Sequence, residues 1–495
     1  MNEANPDPYD APVQPRIGIL VVAYNAAGTL ARVLERIPTE FRPRISGILV
    51  SDDHSADSTY LVGLGYQQID PSLPLEVVRN PRNLGYGGNQ KVGYRWAIER
   101  GLDIIVMLHG DGQYAPEKLP DMVGPLERGE ADAVFGSRML MPGAARSGGM
   151  PLYKYVGNKV LTRFENALAG ADLSEWHSGY RAYSVEALAT LPFERNDDDF
   201  NFDSQIIVQL LEAGRKITEI PIPTFYGDEI CYVDGLRYAR QVTRDVVRYR
   251  AHKMGFGTGE LAFASEAYES KESDASSHGR IVDWLRDRPA SRVLDLGCGD
   301  GFVAEQLRAV GHQVVGVDVA PSEGVKDRVD RFVEADLDAG LPPGLDGPFD
   351  VIVAADVIEH VRAPERLLDE LHGILAPGGV LVASIPNFAH WYPRLRVLSG
   401  RFDYDRRGIL DNTHLRFFTH RSFERLARES GWRVARKGVT GLPLEVVERG
   451  GADAKAESGV RRALRKLDAT AVRARPSLFA YQLLYQLVPH GRRPA

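Results

Sequence analysis

Val106-Met-Leu-His-Gly-Asp-Gly-Gln-Tyr114 decides how the first half of this chain is read. An apolar run from Ile104 to Leu108 stops at His109-Gly-Asp-Gly-Gln113, and a helical segment follows from Pro116. A buried strand that ends in an acidic, glycine-flanked turn sets a carboxylate at the C-terminal edge of a parallel sheet, where open α/β folds bind ligands. Asp111, with the imidazole of His109 and the amide oxygen of Gln113 beside it, suits a divalent cation that neutralises a diphosphate. The bland alternative for the same residues is a polar turn that caps a helix.

Outward from this stretch the pattern repeats. Ile17-Gly-Ile-Leu-Val-Val-Ala23 reads as a buried strand ended by Tyr24-Asn25. Ile48-Leu-Val-Ser51 is a second strand, closing on Asp52-Asp53, and residues 75–78 are a third. Asn83-Leu-Gly-Tyr-Gly-Gly-Asn89 opens a helix, and the strand at 133–136 ends in Ser137-Arg138. Strands alternating with helices predict a mostly parallel sheet with helices on both faces. Asn25, Asp52, Asp53, Asp111 and Arg138 then collect at the strand ends.

These pieces, with His177-Ser-Gly-Tyr-Arg181, Phe202-Asp203 and Glu219-Ile-Pro-Ile222, carry a resemblance over residues 21–257. The stretch resembles family-two glycosyltransferases of the dolichol-phosphate mannosyltransferase (polyprenyl-phosphate glycosyltransferase) type. The resemblance implies a GT-A fold and inverting transfer of a hexose from a UDP- or GDP-sugar to a polyprenyl-phosphate or other lipid or glycan acceptor, helped by Mg²⁺ or Mn²⁺. It also implies that Asp52 bonds the base with Asp53 nearby, that Tyr24 and Asn25 border the donor, and that Asp111 and Gln113 hold the metal, with the imidazole of His109 as a further candidate ligand. Arg138 and Arg181 would face phosphate, and Glu175 or His177 would be the base if the acceptor is a hydroxyl. The sequence departs from the family at His109, where an Asp is usual, and at Ala26-Ala27, where an acid is common. Two alternatives follow: a transferase for a soluble hydroxyl acceptor, or a degenerate binding module attached to an active second half.

In the second half, Arg292-Val-Leu-Asp-Leu-Gly-Cys-Gly-Asp-Gly301 reads as strand, glycine-rich turn and helix start. Val314-Val-Gly-Val-Asp318 follows as a strand ending in an acid, at the spacing where such folds grip ribose hydroxyls. Glu334-Ala-Asp336, Phe349-Asp-Val-Ile-Val-Ala354 and Leu375-Ala-Pro-Gly-Gly-Val-Leu-Val382 complete the set. This half resembles class I S-adenosylmethionine-dependent methyltransferases. By that resemblance Gly297, Gly299 and Gly301 let the backbone approach S-adenosylmethionine, and Asp295 lies beneath its amino-acid end. Asp318 takes the ribose and Asp336 the adenine amino group, the expected reaction being O-methylation of a related glycan or lipid intermediate. His360, His390 and His414 are candidate bases.

The totals limit the rest. A chain of 495 residues with 44% hydrophobic and 26% charged residues makes roughly two to four globular domains. A formal charge of −7 gives no reason to expect nucleic acid. Cys231 and Cys298 form neither a disulfide framework nor a zinc site, which points to a reducing cytoplasm. No run reaches the roughly 18 apolar residues of a membrane span, so any membrane contact is expected to be peripheral, at the cytoplasmic face. The arginines 237, 240, 244, 248 and 250 could rest on anionic headgroups or form a solvated face. The chain divides into a loose tail (1–15), a first domain (16–257), a linker (258–279), a second domain (280–440) and a basic, amphipathic extension (441–495). In that extension, residues 478–488 read as a helix docked on a domain, with interfacial membrane contact as the alternative.

Overall fold

A computed structural model describes residues 14–224, 234–257, 276–322, 324–443 and 459–490. The chain forms two compact units, the first running to Arg250 and the second taking up from Ala251. Residues 1–13 of the expected tail and 258–275 of the expected linker lie outside the described residues.

Among the described residues the first unit holds seven strands: β1 (Ile17–Ala23), β2 (Ile45–Asp52), β3 (Leu75–Arg79), β4 (Ile104–His109), β5 (Ala133–Ser137), β6 (Arg181–Ser184) and β7 (Ile217–Pro221). Their order is β3-β2-β1-β4-β6-β5-β7, with β1 to β4 parallel and β6 antiparallel to both β4 and β5. Both faces are covered. Along β1, Ile17, Ile19 and Val21 enter one apolar core while Leu20 and Val22 enter another, the alternation a two-sided strand requires. The helix Gly85–Glu99 lies so close to β1 that a Cβ on Gly93 would come within 2.2 Å of Leu20. Of the arginines on the helix Gly235–Lys253, Arg237 pairs with Asp199 at 2.9 Å and Arg244 with Asp197 and Asp245 at 3.5 and 3.3 Å.

The second unit repeats the plan with β8 (Arg292–Leu296), β9 (Gln313–Asp318), β10 (Arg331–Glu334), β11 (Phe349–Ala355), β12 (Leu375–Pro386), β13 (Trp432–Thr440) and β14 (Gln482–Pro489). The order is β10-β9-β8-β11-β12-β14-β13, with β14 antiparallel to both its neighbours.

Three expectations change here. Gln482–Pro489 is a strand inside the sheet, where a docked helix was expected, so the extension is part of the second unit. A strand flanked on both sides is apolar along its length, and such a run cannot be told from a buried helix by periodicity alone. Helix Ser277–Leu285 begins within the expected linker, capped by Ser276, whose side chain accepts from Gly279 N–H at 3.1 Å. Residues 251–257 pack with the second unit: Phe256 shares a core with Ile409 and Tyr481, and Gly257 N–H donates to Tyr392 Oη at 2.8 Å. Among the described residues no helix is long and apolar enough to cross a membrane.

Candidate active sites of the two halves

In the first half, register brings three strand ends together: Ala23 pairs with Asp52, and Val22 with His109. Asn25 adopts a positive φ of 48° and stitches the adjoining loops. Its N–H donates to Ser55 Oγ at 2.8 Å and its Oδ1 accepts from Ala56 N–H at 3.0 Å. Tyr24, on the same turn, is 40% exposed.

The two neighbouring aspartates differ in kind. Asp53 is consumed by the fold: Oδ1 accepts from Asn80 Nδ2 and Leu84 N–H, and Oδ2 from Gly85 N–H, at 2.8–3.0 Å. It holds the glycine-rich loop, which corrects the expectation of a donor contact. Asp52 is fully buried, and Ser55 donates its N–H and hydroxyl to Oδ1. Its Oδ2 hydrogen-bonds to no protein group among the described residues, with Arg79 Nε 3.5 Å away. A buried acceptor left in that state is costly.

Across β1, Asp111 is exposed, with Oδ1 accepting from Gln113 N–H at 2.9 Å. His109, beside it, is held through one ring nitrogen. The Nε2 of His109 lies 3.3 Å from Tyr86 Oη, and its ring meets Tyr114 edge-on at 4.8 Å. Burial pushes this imidazole toward the neutral form, against the pull of Asp111. An exposed carboxylate fits a cation whose remaining ligands are diphosphate oxygens, and the tyrosine contact occupies Nε2 of His109.

The arginines are corrected outright. Arg181 is 1% exposed and donates to the carbonyls of Ser178, Asp203 and Trp176 at 2.8–2.9 Å, so it braces the fold and cannot face phosphate. Arg138 is also buried, against Glu175. Burial pushes the Glu175 carboxyl up, but the Arg138 charge and hydrogen bonds from Arg138 and Asn158 outweigh that and hold it below the usual range. Glu175 is therefore a structural anion. His177 lies between Tyr238 Oη, 2.7 Å from Nδ1, and Glu165 Oε2, 3.1 Å from Nε2.

In the second half, Gly297, Gly299 and Gly301 all have positive φ (63°, 56° and 83°), a conformation other residues rarely adopt. The loop is tied to β9 by Gly297 N–H donating to Val317 O at 2.8 Å, and Asp318 Oδ2 accepts from Gly299 N–H at 2.8 Å. Asp295 is 2% exposed, its Oδ2 makes no protein hydrogen bond among the described residues, and burial with Asp318 and Asp300 nearby pushes it up to about 7. His278, Asp295, Gly297, Cys298, Asp300, Phe302, Val303 and Ala355 line one pocket. Asp336 is exposed beyond β10, beside the Asp318 end of β9, and neither aspartate is among those lining residues. S-adenosylmethionine fits: an ammonium group suits Asp295, the glycine loop leaves room for the cofactor, and Asp318 is tied to that loop through Gly299 N–H.

Past β11, Asp356 has a φ of 57° and accepts from Ser384 Oγ and Gln482 Nε2, each at 2.7 Å. His360 and His414 come together, ring centroids 4.8 Å apart, with Glu359 beside them. His390 is fully buried, stacked on Phe256, and pushed down to about 4 by burial; its Nδ1 accepts from Tyr392 N–H, which makes it a helix cap. Sequence reading missed His278, hidden in the expected linker, and Gln482, hidden in the expected extension. Asp356 had a signal, an acid just past the β11 run.

Comparison with known proteins agrees with this division. A family model described as glycosyl transferase family 2 matches residues 18–190, and one described as a methyltransferase domain matches 270–437. The low-salt glycan biosynthesis hexosyltransferase Agl6 of Haloferax volcanii is 30% identical over 50% of this chain; the match spans 58% of that protein. The undecaprenyl-phosphate mannosyltransferase of Micrococcus luteus is 29% identical over 41% of this chain and 78% of its own length. The ubiquinone biosynthesis O-methyltransferase of Burkholderia pseudomallei is 30% identical over 33% of this chain and 74% of its own length.

Proposed function

We propose that this chain, which belongs in its first half to glycosyl transferase family 2 with a GT-A fold and in its second to the class I methyltransferases, performs two successive transfers on one glycolipid or glycan precursor. The first half would move a hexose from a UDP- or GDP-sugar to a polyprenyl-phosphate acceptor, with inversion. The observation that carries this reading is the pair of carboxylates flanking the end of β1: Asp52, whose buried Oδ2 has Arg79 Nε 3.5 Å away and hydrogen-bonds to no protein group among the described residues, and exposed Asp111. A nucleobase N–H would satisfy Asp52 Oδ2. Asp111 would hold Mg²⁺ or Mn²⁺, which when bound stabilises charge developing on the leaving diphosphate.

The state of Glu175 favours a phosphate acceptor over a hydroxyl one. A phosphate oxygen is already ionised and needs no base, and the carboxylate first in line to be one is held by Arg138. The acceptor oxygen would attack the anomeric carbon as the nucleoside diphosphate departs. The second half would then transfer the methyl group of S-adenosylmethionine to a hydroxyl oxygen of the product, with S-adenosylhomocysteine leaving and the hydroxyl proton released. Peripheral attachment to a membrane surface belongs to the same reading, since a polyprenyl acceptor resides there.

The test offers UDP-glucose and GDP-mannose separately to the full chain with a short polyprenyl phosphate and Mg²⁺ or Mn²⁺. Glycolipid from one donor is expected. Metal-dependent donor hydrolysis without glycolipid would keep the donor site and reject the acceptor class; neither product nor hydrolysis would reject the transferase reading.

A further inference from the structure

Glu359 and His360 occupy the single-turn helix Ile358–His360 directly after β11, and His414 stands on the loop that crosses it. One side-chain ligand atom from each of the three lies within 4.8 Å of the others. The main chain locks the two segments together: Leu415 N–H and Arg416 N–H both donate to Glu359 O at 2.9 Å. Glu359 is 1% exposed and His414 8%, while His360 is half-buried and opens the cluster to one side.

The imidazoles are oriented alike. Nδ1 of His360 faces Thr413 O and Nδ1 of His414 faces Ile409 O, each at 3.2 Å. A carbonyl only accepts, so each Nδ1 carries the proton and each Nε2 keeps its lone pair. A ring N–H fixed by a backbone carbonyl, with the other nitrogen left basic, is the arrangement found behind metal-bound histidines. Here it occurs twice in one cluster, beside a buried carboxylate.

We propose that Glu359 and the Nε2 atoms of His360 and His414 hold a divalent transition-metal cation, with open positions that take oxygen atoms of the methyl acceptor. Two imidazoles with one carboxylate suit Mn²⁺, Fe²⁺ or Zn²⁺ better than Mg²⁺ or Ca²⁺. The position fits the task. Ala355 lines the glycine-loop pocket, and the turn that follows packs so tightly that a Cβ on Gly297 would come within 2.6 Å of Val357. The acceptor class is then a hydroxylated group, such as a sugar with adjacent oxygens. That role for the acceptor rests on the methyltransferase reading; the cation site itself does not.

The test uses the full chain, treated with chelator and carrying Asp111→Asn so that the first half contributes no cation site. Mn²⁺ is titrated in, with the free ion followed by electron paramagnetic resonance, and Zn²⁺ is titrated by calorimetry. A single site is expected, weakened at least about tenfold by Glu359→Gln, by His414→Gln and by His360→Asn. Circular dichroism and thermal unfolding of the same proteins report whether the second half is folded, and His360, being half-exposed, is the position most tolerant of change. Unaltered binding of both cations in folded Glu359→Gln and His360→Asn proteins would overturn the site. A chain that binds a cation through these residues but not S-adenosylmethionine would keep the site and remove the methyltransferase reading.

Discussion

Glu175 closes on Arg138 from two directions, accepting from its backbone N–H at 2.7 Å through Oε2 and from its guanidinium Nε at 2.9 Å through Oε1. Both side chains are out of solvent. Removing one partner of such a pair leaves an uncompensated buried charge, at a cost of about 3–5 kcal/mol. Glu175→Ala should therefore destabilise the first half by that amount in denaturant unfolding, and Arg138→Met with Glu175→Leu should recover part of it. A Glu175→Gln protein with full stability and no sugar transfer would contradict the structural role.

Asp52 and Asp53 should separate stability from donor binding. Asp53→Ala strips acceptors from Asn80, Leu84 and Gly85, and should lower the unfolding midpoint. Asp52→Asn removes a charge from a fully buried position and should leave that midpoint unchanged or higher. It should still weaken nucleotide-sugar binding about tenfold to a hundredfold, the worth of one charged hydrogen bond. Calorimetry with the nucleoside diphosphate checks this; equal losses of stability in both variants would refute it.

Asp295 makes cofactor binding depend on pH. Its carboxyl is pushed up to about 7, from an ordinary value near about 3.9. The raised group favours the folded state below its unfolded pKa, and that contribution is lost as pH rises through about 7. Binding the ammonium of S-adenosylmethionine runs the other way, because it requires the carboxylate. Affinity should climb between about pH 6 and 7, by up to about tenfold per unit, and level off above. The Asp295→Asn protein should show a flat profile over the same range.

The strand ends were legible because their signals are local. Buried runs such as Ile104–His109 end in a polar turn within a few residues, and the glycines at 297, 299 and 301 occupy backbone conformations that only their own sequence reveals. What the sequence hid depends on distance along the chain. Nothing local tells that Arg138 is neutralised by Glu175, or that Arg181 spends its donors on carbonyls; an arginine in a motif looks the same facing phosphate or facing protein. His360 and His414 were each legible as polar residues on acceptor loops, but their convergence with Glu359 needs the fold. The antiparallel β6 and β14 were hidden for the same reason, their pairing partners lying far away in sequence.

Because β14 lies between β12 and β13, a chain ended after Ala480 loses the strand that joins them and the Gln482 contact to Asp356. It should fail to bind S-adenosylmethionine and become sensitive to proteolysis in the second half. Undiminished cofactor binding would mean that the strand is dispensable.

The most direct test of the central claim is a single incubation of the full chain with nucleotide sugar, short polyprenyl phosphate, Mn²⁺ and S-adenosylmethionine labelled in its methyl group. The account predicts methyl label in the extracted glycolipid, and none when the nucleotide sugar is left out. Label incorporated equally without the sugar donor, or no label in a chain that makes glycolipid and binds S-adenosylmethionine, would contradict successive transfers on one precursor.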